Sequence, residues 1–193
     1  MVAFTVVPNN KSLAGYAADV LNFLGSELKE NVIKSRGEDI PFIIEELSHD
    51  GRSAIGLTGN DLLKEYELSK EKTNLVVLKK FAWFDKNAIF GKPVLCLLGP
   101  KNKKLDELPD KLKVCINSKY RNLAEAYLKK LEINGCIFKK IYLAGSTEAA
   151  YSSGLSELVI DIVYTGASIR NANLEVYDKI FESDFVVIGA KND

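Results

Sequence analysis

The sequence predicts an α/β protein of two lobes with mostly parallel sheets. Short apolar runs alternate with segments of helical periodicity along nearly all of the 193 residues, which is typical of parallel strand–helix units. One strong shift in composition, the Lys-rich polar stretch 99–113, indicates an exposed connector. Around it we divide the chain into a first lobe, residues 1–90 plus 171–193, and a second lobe, residues 91–170.

Eight apolar runs have the length of strands, and the last is expected to return to the first lobe. They are residues 3–7, 54–57, 75–78, 94–98, 113–116, 137–143, 158–163 and 185–188. Apolar residues three or four apart predict helices over 13–24, 40–47 and 123–131. Asp39 is the expected N-cap of the second helix, because Pro41 suits its first turn.

The charge balance excludes several classes of function. Lys plus Arg number 26 and Asp plus Glu number 26, so the chain has no net field for nonspecific binding of nucleic acid or of an anionic membrane. The Lys run within 101–113 is interpreted as a solvated face. No apolar run approaches the roughly 18 residues of a spanning helix, and the N-terminus lacks the features of a signal peptide. We therefore expect a soluble, cytoplasmic protein.

Cysteine and histidine indicate no metal site and no nucleophilic catalysis. The three cysteines are widely spaced among apolar residues, which suits reduced, buried thiols. The single histidine, His49, falls at the end of a predicted helix, where a cation suits the helix dipole. The sequence therefore predicts neither a zinc site nor a catalytic histidine.

Two carboxylates mark the apolar run that precedes residue 164. Glu157 and Asp161 are four residues apart, so in a strand they point to the same face. Carboxylates on a buried strand need water, hydroxyl groups or a metal as partners. This pair therefore suits contact with a polyhydroxylated ligand such as a sugar.

A turn of small residues follows the same strand and opens a predicted helix. Gly166 permits a positive φ where the backbone approaches an anion, while Thr165 and Ser168 add hydroxyl groups and Arg170 adds guanidinium donors. Together with the carboxylates, this turn suits a sugar phosphate. The alternative is a plain strand-to-helix connection in which Thr165 or Ser168 is the helix N-cap.

Three weaker segments also join strands to helices, and each has a structural alternative. In 54–63, Asn60 or Asp61 is either a helix cap or a ligand contact on a turn facing the first one across a cleft. Glu148 is either a favourable first-turn residue or a group pointing into that cleft. Lys11 either reaches an anionic ligand or is simply exposed.

Taken together, these segments resemble the catalytic chain of ATP phosphoribosyltransferase, the family that opens histidine biosynthesis. The family's DIVSTGTTLRxNGL is similar to residues 161–174, its GITGxDxL to 56–62, its YPNIARRYF to 120–128, its NGSVELAP to 144–150 and its RPQDVP to 36–41. These matches occur in the family's order along the chain, which makes them far more specific than any one motif.

The resemblance implies a fold like that of periplasmic binding proteins, with a cleft between the lobes. It also implies a reaction in which N1 of ATP attacks C1 of 5-phosphoribosyl 1-diphosphate and pyrophosphate leaves, with Mg²⁺ bound on the diphosphate. Catalytic roles would fall on Asp161, at the ribose, and on Glu148. Substrate-binding roles would fall on Thr165, Gly166, Ala167, Ser168, Arg170, Glu157 and Lys11.

The length resembles the family's short form, which lacks a regulatory domain and works with a regulatory subunit similar to histidyl-tRNA synthetase. We therefore expect a homo- or hetero-oligomer, with histidine feedback residing outside this chain. Three departures stand out: the family's PKGRL is altered at 8–13, Ala167 replaces a hydroxyl residue, and Asn173 replaces a glycine. They are compatible either with a divergent active enzyme or with a catalytically degenerate two-lobed module that binds a small anion or nucleotide, and the altered N-terminal turn favours the second alternative.

Overall fold

The chain folds into two compact units, each with one five-stranded sheet. The computed structural model describes residues 4–25 and 30–191, and for residues 11–14 it describes the backbone only. The first lobe comprises Met1–Ala82 and Asp184–Asp193, and the second comprises Trp83–Ser183. Within the described residues, no helix has both the length and the apolar character needed to cross a bilayer.

Ten strands and six α-helices occur along the described chain. The strands are β1 Phe4–Pro8, β2 Val32–Ser35, β3 Ala54–Gly59, β4 Leu75–Phe81, β5 Val94–Pro100, β6 Lys111–Asn117, β7 Ile137–Leu143, β8 Leu158–Val163, β9 Leu174–Glu182 and β10 Phe185–Ala190. The helices are α1 Lys11–Leu24, α2 Ile40–His49, α3 Asn60–Leu68, α4 Arg121–Ile133, α5 Thr147–Ser152 and α6 Ala167–Asn171. Short 3-10 turns occupy Leu105–Glu107 and Ser118–Tyr120.

Both sheets are mixed, with parallel strands in one half of each. The first lobe has the order β2-β1-β3-β10-β4 and the second has β7-β6-β8-β5-β9. The pairs of β1 with β2 and β3, and of β6 with β7 and β8, are parallel, whereas β10 and β5 are antiparallel to their neighbours. The two-lobed α/β prediction is confirmed, but the parallel ladders make up half of each sheet.

The antiparallel halves have a simple origin in the path of the chain. β5 and β10 are the first strands formed after the chain passes from one lobe to the other. They are therefore not joined to their sheet neighbours by the strand–helix–strand crossover that makes strands parallel.

The lobe boundaries differ from those expected from the sequence. Residues 83–90 and 171–183 were expected in the first lobe, yet they belong to the second. For 83–90 the reason is the hydrogen bonds of Asp85 and Ile89 with Tyr164. For 171–183 it is β9, which pairs with β5 along its whole length. Its sequence, LEVYDKIFE, carries four charged residues among nine, so apolar periodicity did not identify it as a strand.

In each lobe the core packs on the sheet. In the first lobe, a glycine sets how closely α2 approaches that sheet. A Cβ atom at Gly56 would lie 2.6 Å from Cγ2 of Ile40, 2.8 Å from Cγ1 of Ile44 and 3.1 Å from Cγ1 of Ile188. All three isoleucines are fully buried. The glycine of the 56–62 motif is therefore required for packing.

We predict that Gly56→Ala lowers the free energy of unfolding by about 1–3 kcal/mol, because a core this close cannot admit a methyl group without moving. Gly15→Ala is the matched control, since a Cβ there meets nothing within 4 Å in helix α1, and it should raise stability by up to about 1 kcal/mol. Urea unfolding measures both, and equal stability of the two variants would contradict this packing account.

Candidate active site

Three loops of the second lobe follow the carboxyl ends of its parallel strands. Residues 118–120 follow β6, residues 144–146 follow β7 and residues 164–166 follow β8. Because parallel neighbours end at the same edge of a sheet, these loops share one edge, where α/β proteins bind their ligands.

Asp161 connects the elements at this edge. Its Oδ1 accepts a hydrogen bond from Nδ2 of Asn117 at 2.9 Å, and its Oδ2 accepts one from Oγ1 of Thr147 at 2.6 Å. Asn117 is the last residue of β6 and Thr147 is the first of α5, so one carboxylate holds β6, β8 and α5 together.

The electrostatic surroundings of Asp161 are those of a partly buried carboxyl. Burial raises its pKa above the ordinary value, and the negative charge of Glu148 acts in the same direction. The hydrogen bonds from Thr147, from the backbone N–H of Ile162 and from Asn117 oppose this rise, since they favour the charged form. Glu148, half-buried in the first turn of α5, thus lies close enough to act on Asp161.

Glu157 is not brought to the same place. It precedes β8, and its Oε2 accepts a hydrogen bond from the backbone N–H of Lys113 at 2.6 Å. The loop at 164–166 follows the other end of β8, a strand of six residues and so roughly 20 Å long. The shared face predicted for Glu157 and Asp161 therefore does not make them members of one site.

The turn after β8 presents its polar groups to solvent. Thr165, Ala167, Ser168 and Arg170 are exposed, whereas Gly166 between them is buried. Gly166 has φ +71° and is the N-cap of α6, without a side-chain capping bond. Neither Thr165 nor Ser168 is the N-cap, but Oγ1 of Thr165 accepts a hydrogen bond from the backbone N–H of Ala167 at 3.4 Å on this exposed turn.

Asn173 departs from the family motif in residue type but not in backbone conformation. It has φ +55°, in the left-handed region that glycine and asparagine adopt most easily. Asparagine therefore keeps the chain direction after α6 that a glycine would give.

Candidate residues of the first lobe lie at the starts of its helices. Lys11 begins α1, and its side chain is outside the described part of the structure. The turn at 58–61 places Gly59, not Asn60 or Asp61, at the N-cap of α3, and Asp61 is buried. Thr58 donates a hydrogen bond from its Oγ1 to the backbone oxygen of Gly37 at 2.9 Å.

Sequence reasoning missed four residues of this site, Asn117, Tyr164, Asp85 and Ile89, and it did not connect Thr147 with Asp161. Asn117 directly follows a predicted strand, and a polar residue at a strand's carboxyl end was the available signal. Tyr164 donates a hydrogen bond to Oδ2 of Asp85, and the backbone N–H of Ile89 donates to the backbone oxygen of Tyr164 at 2.9 Å. No local pattern predicts these last contacts, because the partners are 75 to 79 residues apart.

The structure also describes the cysteines and the side chains that could bind a metal ion. Cys96 and Cys115 are buried free thiols, and burial raises the pKa of Cys96 to about 12 and that of Cys115 to about 11. Among the residues that the structure describes, no three His, Cys, Asp or Glu side chains are grouped to hold a metal ion.

The motifs all lie within a stretch that matches one protein family. The model of the family described as HisG, ATP phosphoribosyltransferase, matches residues 36–193. The chain belongs to this family. The matched stretch contains the motif segments 36–41, 56–62, 120–128, 144–150 and 161–174.

Relatives and solved structures agree with this membership. The ATP phosphoribosyltransferase of Sulfurisphaera tokodaii is 31% identical over 83% of this chain and 50% of its own length, and that of Caldanaerobacter subterraneus subsp. tengcongensis is 33% identical over 88% and 74%. The chain thus spans about half the length of the first relative.

The fold is shared more widely than the sequence. A chain of the ATP phosphoribosyl transferase (HisG:HisZ) complex from Thermotoga maritima has a TM-score of 0.71 at 25% identity, covering 98% of this chain and 88% of that one. The periplasmic aliphatic sulphonate binding protein SsuA from Escherichia coli has a TM-score of 0.61 at 15% identity, covering 98% and 65%. The predicted likeness to periplasmic binding proteins is confirmed at the level of fold.

We predict that Asp161→Asn changes how stability depends on pH. A carboxyl with a raised folded-state pKa is stabilising when protonated, so the parent chain loses stability as the pH rises above about 3.8, whereas the amide does not. The free energy of unfolding of the variant minus that of the parent should therefore increase as the pH rises above about 3.8, and it should become constant above the raised folded-state pKa. A pH-independent loss of about 1–2 kcal/mol is expected as well, because an amide cannot accept from both donors equally.

Chemical denaturation at a series of pH values measures this difference. A difference that stays flat, or that falls as the pH rises, would show that Asp161 does not carry the raised pKa.

Proposed function

We propose that this chain transfers the phosphoribosyl group of 5-phosphoribosyl 1-diphosphate to N1 of ATP with release of pyrophosphate, the first step of histidine biosynthesis. The observation that carries this proposal is the family match over residues 36–193, which includes the exposed turn after β8 and the carboxylate that orders its surroundings. The activity named for the relatives is the same.

The turn at 165–168 is proposed to bind the 5-phosphate. A left-handed residue followed by helical ones turns successive backbone N–H groups to one side, an arrangement that binds anions. Gly166 supplies the left-handed residue, and Thr165 and Ser168 add exposed hydroxyl donors. Ala167 contributes its backbone only, so the hydroxyl that the family carries there is not essential to this geometry.

Asp161 is proposed to face the ribose. Each carboxylate oxygen has two lone pairs, so Asp161 can accept from ribose hydroxyl groups as well as from Asn117 and Thr147. In the reaction, the bond from C1 to the diphosphate oxygen breaks, positive charge develops on the sugar, and N1 of ATP forms the new bond. A fixed negative group beside the ring stabilises that charge, and alignment of the two substrates supplies the rest.

Magnesium is proposed to arrive with the diphosphate. Mg²⁺ sites with nucleotide-like ligands use phosphate oxygens and one or two carboxylates. The carboxylates at this edge that would supply such oxygens are Asp161 and Glu148, and the negative charge of Glu148 acts on Asp161. Magnesium bound there would neutralise the leaving pyrophosphate.

A regulatory partner is proposed on the basis of structural likeness. The Thermotoga maritima chain that this protein resembles is part of a HisG:HisZ complex. We infer that this chain also assembles with a subunit similar to histidyl-tRNA synthetase, and that histidine acts through that subunit.

The direct test mixes the purified chain with Mg²⁺, ATP and phosphoribosyl diphosphate, with and without the candidate partner, and measures phosphoribosyl-ATP and pyrophosphate. We expect both products in at least one mixture. If neither mixture gives product while phosphoribosyl diphosphate still binds, the chain is the catalytically degenerate binding module.

We predict that Gly166→Ala weakens binding of phosphoribosyl diphosphate roughly tenfold, because its Cβ combines a strained φ of +71° with contacts of 3.0 Å to Nη1 of Arg170 and 3.2 Å to Cγ2 of Ile89. Gly154→Ala is the matched control, since Gly154 has φ +73° and a Cβ there meets nothing within 4 Å.

Both variants should lose about 1–2 kcal/mol of stability, the penalty of a left-handed alanine. Isothermal titration calorimetry with phosphoribosyl diphosphate separates them. Equal affinity of Gly166→Ala and Gly154→Ala would mean that the turn at 165–168 is not the phosphate site.

A further inference from the structure

The segment at 85–91 contacts the turn after β8 at three points, and it has no role in the function proposed above. It lies at the start of the second lobe, before β5. The backbone N–H of Ile89 donates to the backbone oxygen of Tyr164 at 2.9 Å, the Tyr164 hydroxyl donates to Oδ2 of Asp85, and the Ile89 side chain covers Gly166.

This segment is itself held by short-range hydrogen bonds. The backbone N–H of Asp85 donates to the oxygen of Gly91 at 2.7 Å, and the N–H of Gly91 donates to the oxygen of Ala88 at 2.9 Å. Oδ1 of Asp85 accepts from the backbone N–H of Asn87 at 2.8 Å and from its Nδ2 at 3.0 Å. The Asp85 carboxylate is thereby oriented so that Oδ2 faces Tyr164.

Ile89 explains why Gly166 is buried between exposed neighbours. A Cβ atom on Gly166 would lie 3.2 Å from Cγ2 and 3.3 Å from Cδ1 of Ile89. The isoleucine side chain therefore packs directly against the residue whose left-handed conformation sets the direction of the following N–H groups.

Tyr164 is held at both ends of the residue, by its backbone oxygen and by its hydroxyl. It directly precedes the turn that is proposed to bind phosphate, so these two bonds fix the point from which residues 165–168 start. A turn ordered before its ligand arrives loses less conformational entropy on binding, and affinity increases accordingly.

We propose that Tyr164, Asp85 and Ile89 are positioning residues that hold residues 165–168 in the conformation that binds phosphoribosyl diphosphate. This inference rests on the proposed function, since it assigns these residues to the same site. They act through the turn and do not themselves touch the substrate.

The test compares Tyr164→Phe with Tyr177→Phe by calorimetric titration of the chain with phosphoribosyl diphosphate and Mg²⁺. Each variant loses one tyrosine hydroxyl of the second lobe. The Tyr177 hydroxyl donates to the backbone oxygen of Pro100 at 3.0 Å, and this bond belongs to β5 and β9. We expect Tyr164→Phe to weaken binding roughly tenfold, since it loses a bond to a charged group, and Tyr177→Phe to leave affinity unchanged.

A double-mutant cycle identifies the Tyr164–Asp85 bond as the cause. After Asp85→Ala, the further change Tyr164→Phe should cost clearly less affinity than it costs in the parent chain, because the hydroxyl has already lost its acceptor and keeps only its hydrogen bond with Trp83. Independent, additive losses would overturn the role of this bond. In steady-state kinetics the KM for phosphoribosyl diphosphate should rise more than the KM for ATP, whereas general destabilisation would alter both.

Ile89 is tested by truncation. Ile89→Ala in the parent chain removes the side chain that packs against Gly166 and should weaken binding of phosphoribosyl diphosphate. An affinity equal to that of the parent chain would overturn the role of Ile89.

The outcomes also separate this inference from the proposed function. If the parent chain and Tyr164→Phe bind phosphoribosyl diphosphate with equal affinity, this inference is overturned but the proposed function is not. A parent chain that binds none, with and without the candidate partner, overturns both.

Discussion

The arrangement of the second lobe depends on one constraint. The carboxylate of Asp161 lies within a sheet, where it needs hydrogen-bond donors. An unpaired charge in such a place is strongly destabilising. Asn117 and Thr147 supply the donors, at 2.9 Å and 2.6 Å, and each sits where a different element begins or ends. The hydrogen bonds to this single side chain therefore hold β6, β8 and α5 against one another. They also position the loops at the edge of the sheet where the candidate site lies.

In the proposed site, a carboxylate faces the sugar and hydrogen-bond donors face its phosphate. Asn117 and Thr147 are neutral, so they orient the carboxylate without adding a cation. Phosphate would instead be held by the turn at 165–168 and by Arg170, all of which is exposed except Gly166. A chain of zero net charge can in this way offer a negative group to a sugar and donors to its phosphate within one short segment.

The features that the sequence predicted are those that depend on residues close together along the chain. The apolar strands, the helix start at Asp39 and Pro41, and the positive φ of Gly166 all follow from periodicity and residue type. β9 was missed because charged residues interrupt its apolar pattern, and the lobe boundary was displaced with it. Glu157 was grouped with Asp161 by spacing, although it belongs to the other end of β8 and binds Lys113. Contacts such as Tyr164 with Asp85 join distant residues and leave no local signal.

The central claim is that the turn after β8 binds the 5-phosphate of phosphoribosyl diphosphate. A crystal structure of the chain with phosphoribosyl diphosphate and Mg²⁺ tests it most directly. The account predicts that the 5-phosphate oxygens lie within about 3 Å of backbone nitrogens in 166–168 and of the Thr165 or Ser168 hydroxyl. A phosphate bound at another part of the chain, with this turn bare, would contradict it.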